Sequence, residues 1–201
     1  MCGRVYIAPA NPELRALVKE MNRSKLSERF GASDGRPLQT EGEILPSSVL
    51  PVLARNRAGE VRVFPMKWGF SQKKGLLINA RAETAAEKPT FRESWEHHRC
   101  VIQVSWYYEW EHDERKRPGK KYALRMPGEG LIRLAGLYRL EEGLPAFVVL
   151  TCAADETIAW MHDRMPVMLR PEDADAWICP DTDPASVIRN RITKVAWEKA
   201  V

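Results

Sequence analysis

The sequence predicts an α+β fold: a β-rich single domain in which a mixed sheet or open barrel carries a few short helices. Seven short runs of β-branched and aliphatic residues follow one another, each closed by turn-forming residues. Long helical periods between them are few, which favours a sheet over a bundle. The chain has 201 residues, 44% of them hydrophobic and 29% charged, the size and balance of one globular unit with its own core.

Val5-Tyr6-Ile7 opens the chain as a short strand. Asn11-Pro12-Glu13 then supplies a capping residue, a first-turn proline and an acidic first turn. Leu14, Leu17, Val18 and Met21 follow at helical spacing, so an amphipathic helix is expected over 12–22. From 24 to 42 the composition is polar and glycine-rich, predicting a surface loop with one short helix. The strand runs are 49–53, 61–66, 76–80, 100–108, 122–126, 131–140 and 147–151. Helical patterns recur over 84–95, 155–161 and 171–178, the last starting at a proline. With no repeat and no shift in composition, one domain over 1–201 is expected, 189–201 being a basic terminal element.

No run approaches the roughly 20 apolar residues of a membrane-spanning helix. The first twenty positions carry Arg4, Glu13, Arg15, Lys19 and Glu20, so neither signal peptide nor membrane anchor is expected. A cytoplasmic location follows, nucleoid-associated in a bacterium. The 31 Lys and Arg against 27 Asp and Glu leave a net charge of +4, which permits nucleic-acid contact without demanding it. Cysteines stand at 2, 100, 152 and 179, with no CxxC pair, and adjacent His97 and His98 cannot readily face one metal with Cys100. No metal or cofactor is expected, and the thiols are expected to be reduced. Cys100, Cys152 and Cys179 lie in apolar company and read as core filler. A glycine-rich phosphate loop and a G-x-S-x-G elbow are both absent from the sequence.

Cys2 is the most unusual placement. Removal of Met1 leaves a cysteine whose α-amine and thiol sit on one residue, with reference pKa values of roughly 8 and 8.5, so both nucleophiles are expected to be available near neutrality. Such an aminothiol condenses with an aldehyde to an imine, and the sulfur then closes a thiazolidine. Asn79 ends an apolar run, with Arg81 and Glu83 following at two-residue spacing. Glu109, within Trp106-Tyr107-Tyr108-Glu109-Trp110, is a carboxylate among aromatics, where lost hydration raises a pKa toward the range of a general acid or base. His162 can move protons at physiological pH, and Arg164 beside it can hold an anion. Each also has an ordinary explanation: a second residue, a strand end before a cap, a solvated edge glutamate, a capping histidine. Arg115-Lys116-Arg117-Pro118-Gly119-Lys120-Lys121 reads as a solvated basic hairpin able to touch phosphate.

Taken together, Met1-Cys2-Gly3-Arg4, Trp68-Gly69-Phe70, Ile78-Asn79-Ala80-Arg81-Ala82-Glu83-Thr84, Tyr108-Glu109-Trp110 and Met161-His162-Asp163-Arg164-Met165-Pro166 resemble the SOS response-associated peptidase (SRAP) family, in the family's order from residue 1 to about 180. The resemblance implies a lyase-like covalent cross-link between the N-terminal cysteine and abasic sites in single-stranded DNA, with a peptidase activity in the family's name. It implies Cys2 as nucleophile, Asn79, Glu109 and His162 as the other active-site polar groups, and DNA contacts from Arg4, Trp68, Arg81 and Arg164. It also implies a positively charged groove on a monomer that needs no cofactor, metal or membrane. Two segments depart from the family pattern. The stretch between Trp68 and Asn79 is short and carries Lys73 and Lys74 where relatives carry tryptophans, so lysine contacts to phosphate are expected there. Glu43-Ile44-Leu45-Pro46 replaces a Tyr-Asn-x-Ala-Pro run. Two other readings stay open: a cysteine hydrolase using Cys2, His162 and Glu109, and a non-reactive module for single-stranded or modified DNA.

Overall fold

Where proline, glycine and side-chain caps interrupt the hydrophobic pattern, the chain changes partner, and these interruptions set the architecture. The computed structural model describes residues 2–34, 38, 40–112, 117–128 and 130–200. Strand β1 (Arg4–Ile7) leads into α1 (Pro12–Asn22), whose cap is as expected: the Asn11 side chain accepts the Leu14 amide at 3.0 Å. The polar stretch that follows is more ordered than predicted, containing the ten-residue α2 (Lys25–Asp34) and a short strand β2 (Gly42–Ile44). Strands β3 (Val49–Arg55) and β4 (Val61–Trp68) form an antiparallel pair. Pro51 and Pro65 face each other within it, at a position where no amide donor is needed.

The predicted run 76–80 is divided. A small hairpin of β5 (Phe70–Ser71) and β6 (Leu76–Leu77) gives way at Ile78 to β7 (Asn79–Arg81), which joins a different sheet. Gly69, at φ +115°, makes the turn out of β4, and the Trp68 indole N–H donates to the Ile78 carbonyl at 3.1 Å, fixing the second bend. The helix expected over 84–95 is two: α3 (Ala82–Ala85) and α4 (Pro89–His97), because Pro89 cannot continue a helix and holds Lys88 extended. The run 100–108 is likewise two strands, β8 (Arg99–Val104) and β9 (Trp106–His112). They part at Ser105, whose hydroxyl accepts the Ala8 amide at 2.9 Å.

Strand β10 (Pro118–Arg125) follows β9, and Arg115 and Lys116 of the predicted basic turn lie outside the described residues. Strands β11 (Ile132–Glu141) and β12 (Leu144–Ala153) are joined by Glu142 and Gly143, both at positive φ, the two-residue turn that suits a twisted hairpin. The helix expected over 155–161 is a series of turns. The Asp155 carboxylate accepts both the amide and the hydroxyl of Thr157, at 3.1 and 2.7 Å, and this local bonding competes with helix. Beyond it come β13 (Arg164–Pro166), β14 (Met168–Leu169), α5 (Ala174–Ile178), α6 (Pro184–Arg189) and β15 (Ala196–Lys199). The last is an edge strand within the basic terminal stretch.

The fold class is the predicted α+β type. Strands β12, β4, β3, β8 and β11 close on themselves as a mixed barrel, because β12 pairs antiparallel with β11 and parallel with β4. Only two residue pairs join β12 to β4, so the barrel is partly closed, and β7 takes over as the parallel neighbour further along β12. The second sheet, ordered β15-β10-β9-β1-β2, is antiparallel throughout. Among the described residues no helix is long and apolar enough to cross a membrane.

Candidate active site

The break at Ser105 has a direct consequence for chemistry. It carries β9 out of the barrel and alongside β1, with Val5 opposite Tyr107 and Arg4 opposite Tyr108. Two-residue periodicity then puts Tyr107 and Glu109 on one face of the sheet, beside the residue two positions before the start of β1. That residue is Cys2, which is wholly buried. From the other sheet, β7 brings Asn79, whose amide nitrogen donates to the Cys2 carbonyl at 2.9 Å. The Asn79 oxygen and the Tyr107 hydroxyl, both buried, have no hydrogen-bond partner among the described residues. A polar pocket with unused bonding capacity therefore surrounds the first residue after Met1.

Electrostatics tie the same residues together. Burial pushes the Cys2 thiol from an ordinary 9.0 up to about 12, and the nearby Glu109 carboxylate acts in the same direction. This is the thiol of the chain that retains Met1, whereas the thiol expected to be available near neutrality is that of the chain freed of Met1. The Tyr107 hydroxyl is held well above its ordinary value by burial, with Cys2 and Glu109 adding to it. Tyr107 was not singled out from the sequence, although its two-residue offset from Glu109 was a usable signal. Glu109 itself is 5% exposed, an enclosed carboxylate as the aromatic run suggested.

The end of β12 organises the remaining polar groups. Its Thr151 lies opposite Arg81 on one side and Pro166 on the other, so β7 and β13 flank the same point. Arg164 makes a bidentate pair with Glu83, at 2.8 Å for each oxygen, and donates to the Thr151 carbonyl at 2.7 Å. His162 is half-buried, and its Nδ1 accepts the Arg164 amide at 2.9 Å. The exposed Asp163 carboxylate also lies 2.8 Å from Nδ1, but one nitrogen cannot accept from the amide and donate to the carboxylate at once.

The expected DNA-contacting residues are placed unequally. The Arg81 side chain is exposed and makes no hydrogen bond or ion pair among the described residues; the side chains of Lys73 and Lys74 are exposed at the tip of the β5–β6 hairpin in the same condition. Arg4 and Arg164 have carboxylate partners. Arg4 pairs with Glu43, which also takes Lys121 at 2.6 Å. Although partial burial opposes it, those two cations hold the Glu43 carboxyl below its usual range. Trp68 requires a correction: it is 1% exposed, stacked on Phe147 at 6.2 Å with its N–H bonded, and presents no face to nucleic acid. Cys179 requires another, being partly exposed with its thiol lowered by the Asp181 backbone and Thr182, whereas Cys100 and Cys152 are core residues. Among the described residues no cluster of three or more His, Cys, Asp or Glu is placed to hold a metal. Two surface clefts, of about 770 and 480 Å3, lie beside the β11–β12 turn and beside α1 and do not include Cys2.

Comparison with known proteins gives a consistent picture. The profile of the family described as SOS response associated peptidase (SRAP) matches residues 1–199. The abasic site processing protein YoqW of Bacillus subtilis is 36% identical over 165 aligned positions, covering 72% of each chain. YedK of Escherichia coli, another abasic site processing protein, is 31% identical over 185 positions, covering 89% of this chain and 79% of its own. Among solved structures, a protein from Bacteroides thetaiotaomicron superposes with a TM-score of 0.71 at 20% identity, covering 98% of this chain and 91% of its own. A phage-related protein from Bordetella bronchiseptica does so with a TM-score of 0.72 at 21% identity, covering 99% and 94%. At these identities the structural likeness speaks for the fold.

Proposed function

The chain belongs to the SRAP family, and from that premise we propose that it forms a covalent thiazolidine cross-link between Cys2, freed by removal of Met1, and the ring-opened sugar of an abasic site in single-stranded DNA. The observation that carries this reading is the surrounding of Cys2: its carbonyl is fixed by Asn79, the Asn79 oxygen is left unused, and the Glu109 charge is felt at the thiol.

The chemistry balances without a co-reactant. The closed sugar first opens to an aldehyde, a proton transfer assigned to His162 and Glu109. The Cys2 α-amine attacks the aldehyde carbon, and the carbinolamine loses one water to give an imine. The sulfur then adds to the imine carbon while the thiol proton passes to nitrogen, closing the ring. Loss of the imine removes the group that would promote β-elimination, so the strand stays intact. The Asn79 oxygen is in place to accept a hydrogen bond from the amine or the sugar, holding it near the reacting carbon.

A buried thiol with a raised pKa suits this order of events, in which the amine attacks first and the sulfur only has to add within the same residue. Removal of Met1 also replaces an amide by an ammonium next to the sulfur, and a neighbouring positive charge favours the thiolate. Arg81, Lys73 and Lys74 supply contacts to backbone phosphates. Arg4 and Arg164, already paired, act mainly by fixing β1 and β13.

A denaturing gel of the chain mixed with an abasic oligonucleotide tests the reading. A shifted band that survives denaturation is expected and should vanish in Cys2→Ala. Cleavage of a peptide substrate without the band would establish the hydrolase instead, and binding without either would establish the non-reactive module.

A further inference from the structure

Large hydrophobic side chains exposed among the described residues are Leu45, Leu76, Leu140, Trp160 and Trp197. The two tryptophans, 47% and 46% exposed, lie ring to ring with centroids 5.3 Å apart. Each also meets the buried Tyr122 ring edge-on, Trp160 at 5.2 Å and Trp197 at 5.6 Å. Tyr122 is the cross-strand partner of Glu109, and directly paired residues share a face of the sheet. Trp160 stands two residues before His162, and its indole N–H is held by the Thr157 carbonyl at 3.0 Å, so the ring is oriented in advance. The aromatic trio thus adjoins the candidate active site on the side of Glu109 and His162.

Resting on the reading above, we propose that Trp160 and Trp197 form a stacking subsite for an unstacked nucleobase next to the abasic nucleotide. An abasic site leaves the faces of its neighbouring bases without a stacking partner, and an exposed aromatic surface covers such a face in a sequence-tolerant way. The β5–β6 hairpin carries Gln72, Lys73, Lys74 and Gly75 at its tip, while Phe70 is buried beneath Arg139, 4.3 Å from the ring centre, so that hairpin offers no ring to a base. Charge fits the same ligand. The side chains of Lys199, opposite Tyr122 in the β10–β15 pair, and Lys194 are exposed and make no hydrogen bond or ion pair among the described residues, although their charges act on the Glu111 and Asp155 carboxylates. The Glu198 carboxylate is neutralised by Arg125 at 2.6 Å.

The test uses the full chain and a single-stranded oligonucleotide carrying a tetrahydrofuran abasic analogue, which has no aldehyde and cannot react, flanked in turn on each side by 2-aminopurine. Binding should quench the 2-aminopurine on one side. Trp197→Leu and Trp160→Leu should each remove the quench and weaken binding about tenfold, the scale of one base–aromatic stack, and Trp197→Phe should restore both. Equal affinity and equal quenching in a leucine variant with wild-type circular dichroism would overturn the proposal. So would tryptophan-dependent self-association with DNA binding unchanged. The covalent yield of the wild-type chain on a reactive abasic oligonucleotide is read separately. Quenching without a cross-link would retain the subsite and reject the reaction, and a cross-link without quenching would do the reverse.

Discussion

Retaining Met1 should silence the Cys2 thiol as well as the amine, and the size of the effect follows from its surroundings. With burial and Glu109 raising the thiol from 9.0 to about 12, the thiolate population at pH 8 falls from about a tenth to about one in ten thousand. That factor of about 10³ corresponds to roughly 4 kcal/mol at about 1.4 kcal/mol per pKa unit. Iodoacetamide labelling read by peptide mass spectrometry measures it, with partly exposed Cys179, whose thiol is shifted downward, as the comparison within the same chain. In protein retaining Met1, Cys2 should label at least about 10³-fold more slowly than Cys179 at pH 8. Glu109→Gln should raise the Cys2 rate without bringing it level with Cys179, because burial is the larger cause. Protein that begins at Cys2 should label faster than either, since its ammonium lies beside the sulfur. Labelling of Cys2 as fast as Cys179 in the Met1-retaining form would refute the reasoning.

Three other outcomes are expected. Asn79→Ala should slow cross-linking at saturating DNA about tenfold, the scale of one hydrogen bond, while affinity for undamaged single strands is retained; quench-flow with gel readout checks it, and an unchanged rate would remove Asn79 from the site. Arg81→Ala should lower the slope of log affinity against log salt by roughly 0.7, as for one phosphate contact on a single strand, whereas Arg4→Ala, whose charge is shared with Glu43, should change it less. Arg164 holds the Glu83 carboxyl below its usual range, so this pair stabilises the fold above the unfolded carboxyl pKa and ceases to as pH falls through the lowered folded value. Glu83→Gln should therefore flatten the acid limb of the melting temperature, by a small amount because Glu83 is half exposed.

Legibility in the sequence followed the range of each interaction. The α1 start could be read because Asn11, Pro12 and Glu13 act within one turn. The same signature at Asp183 and Pro184 caps α6 and could have been read as readily. The divisions at Ile78 and Ser105 could not, since neither run carries a proline or glycine to mark the break and the reason for it lies in distant partners: the Trp68 indole, the Ala8 amide and the edge of β12. Those breaks are what place Asn79 and Glu109 beside Cys2. The residue types of the site were visible one by one, then, but their meeting was not. Trp68 was misplaced for a related reason: a tryptophan in a recognisable motif carries no sign of which face it turns inward, and here it closes the barrel against Phe147.

The most direct test of the central claim is the intact mass of the adduct between the chain and an abasic oligonucleotide, followed by peptide mapping. The account predicts a mass equal to the chain without Met1 plus the DNA less one water, with the modification on an N-terminal Cys2 peptide and no adduct from protein confirmed to retain Met1. A full yield of adduct from Met1-retaining protein, or an adduct mapped to Cys100, Cys152, Cys179 or a lysine, would contradict it.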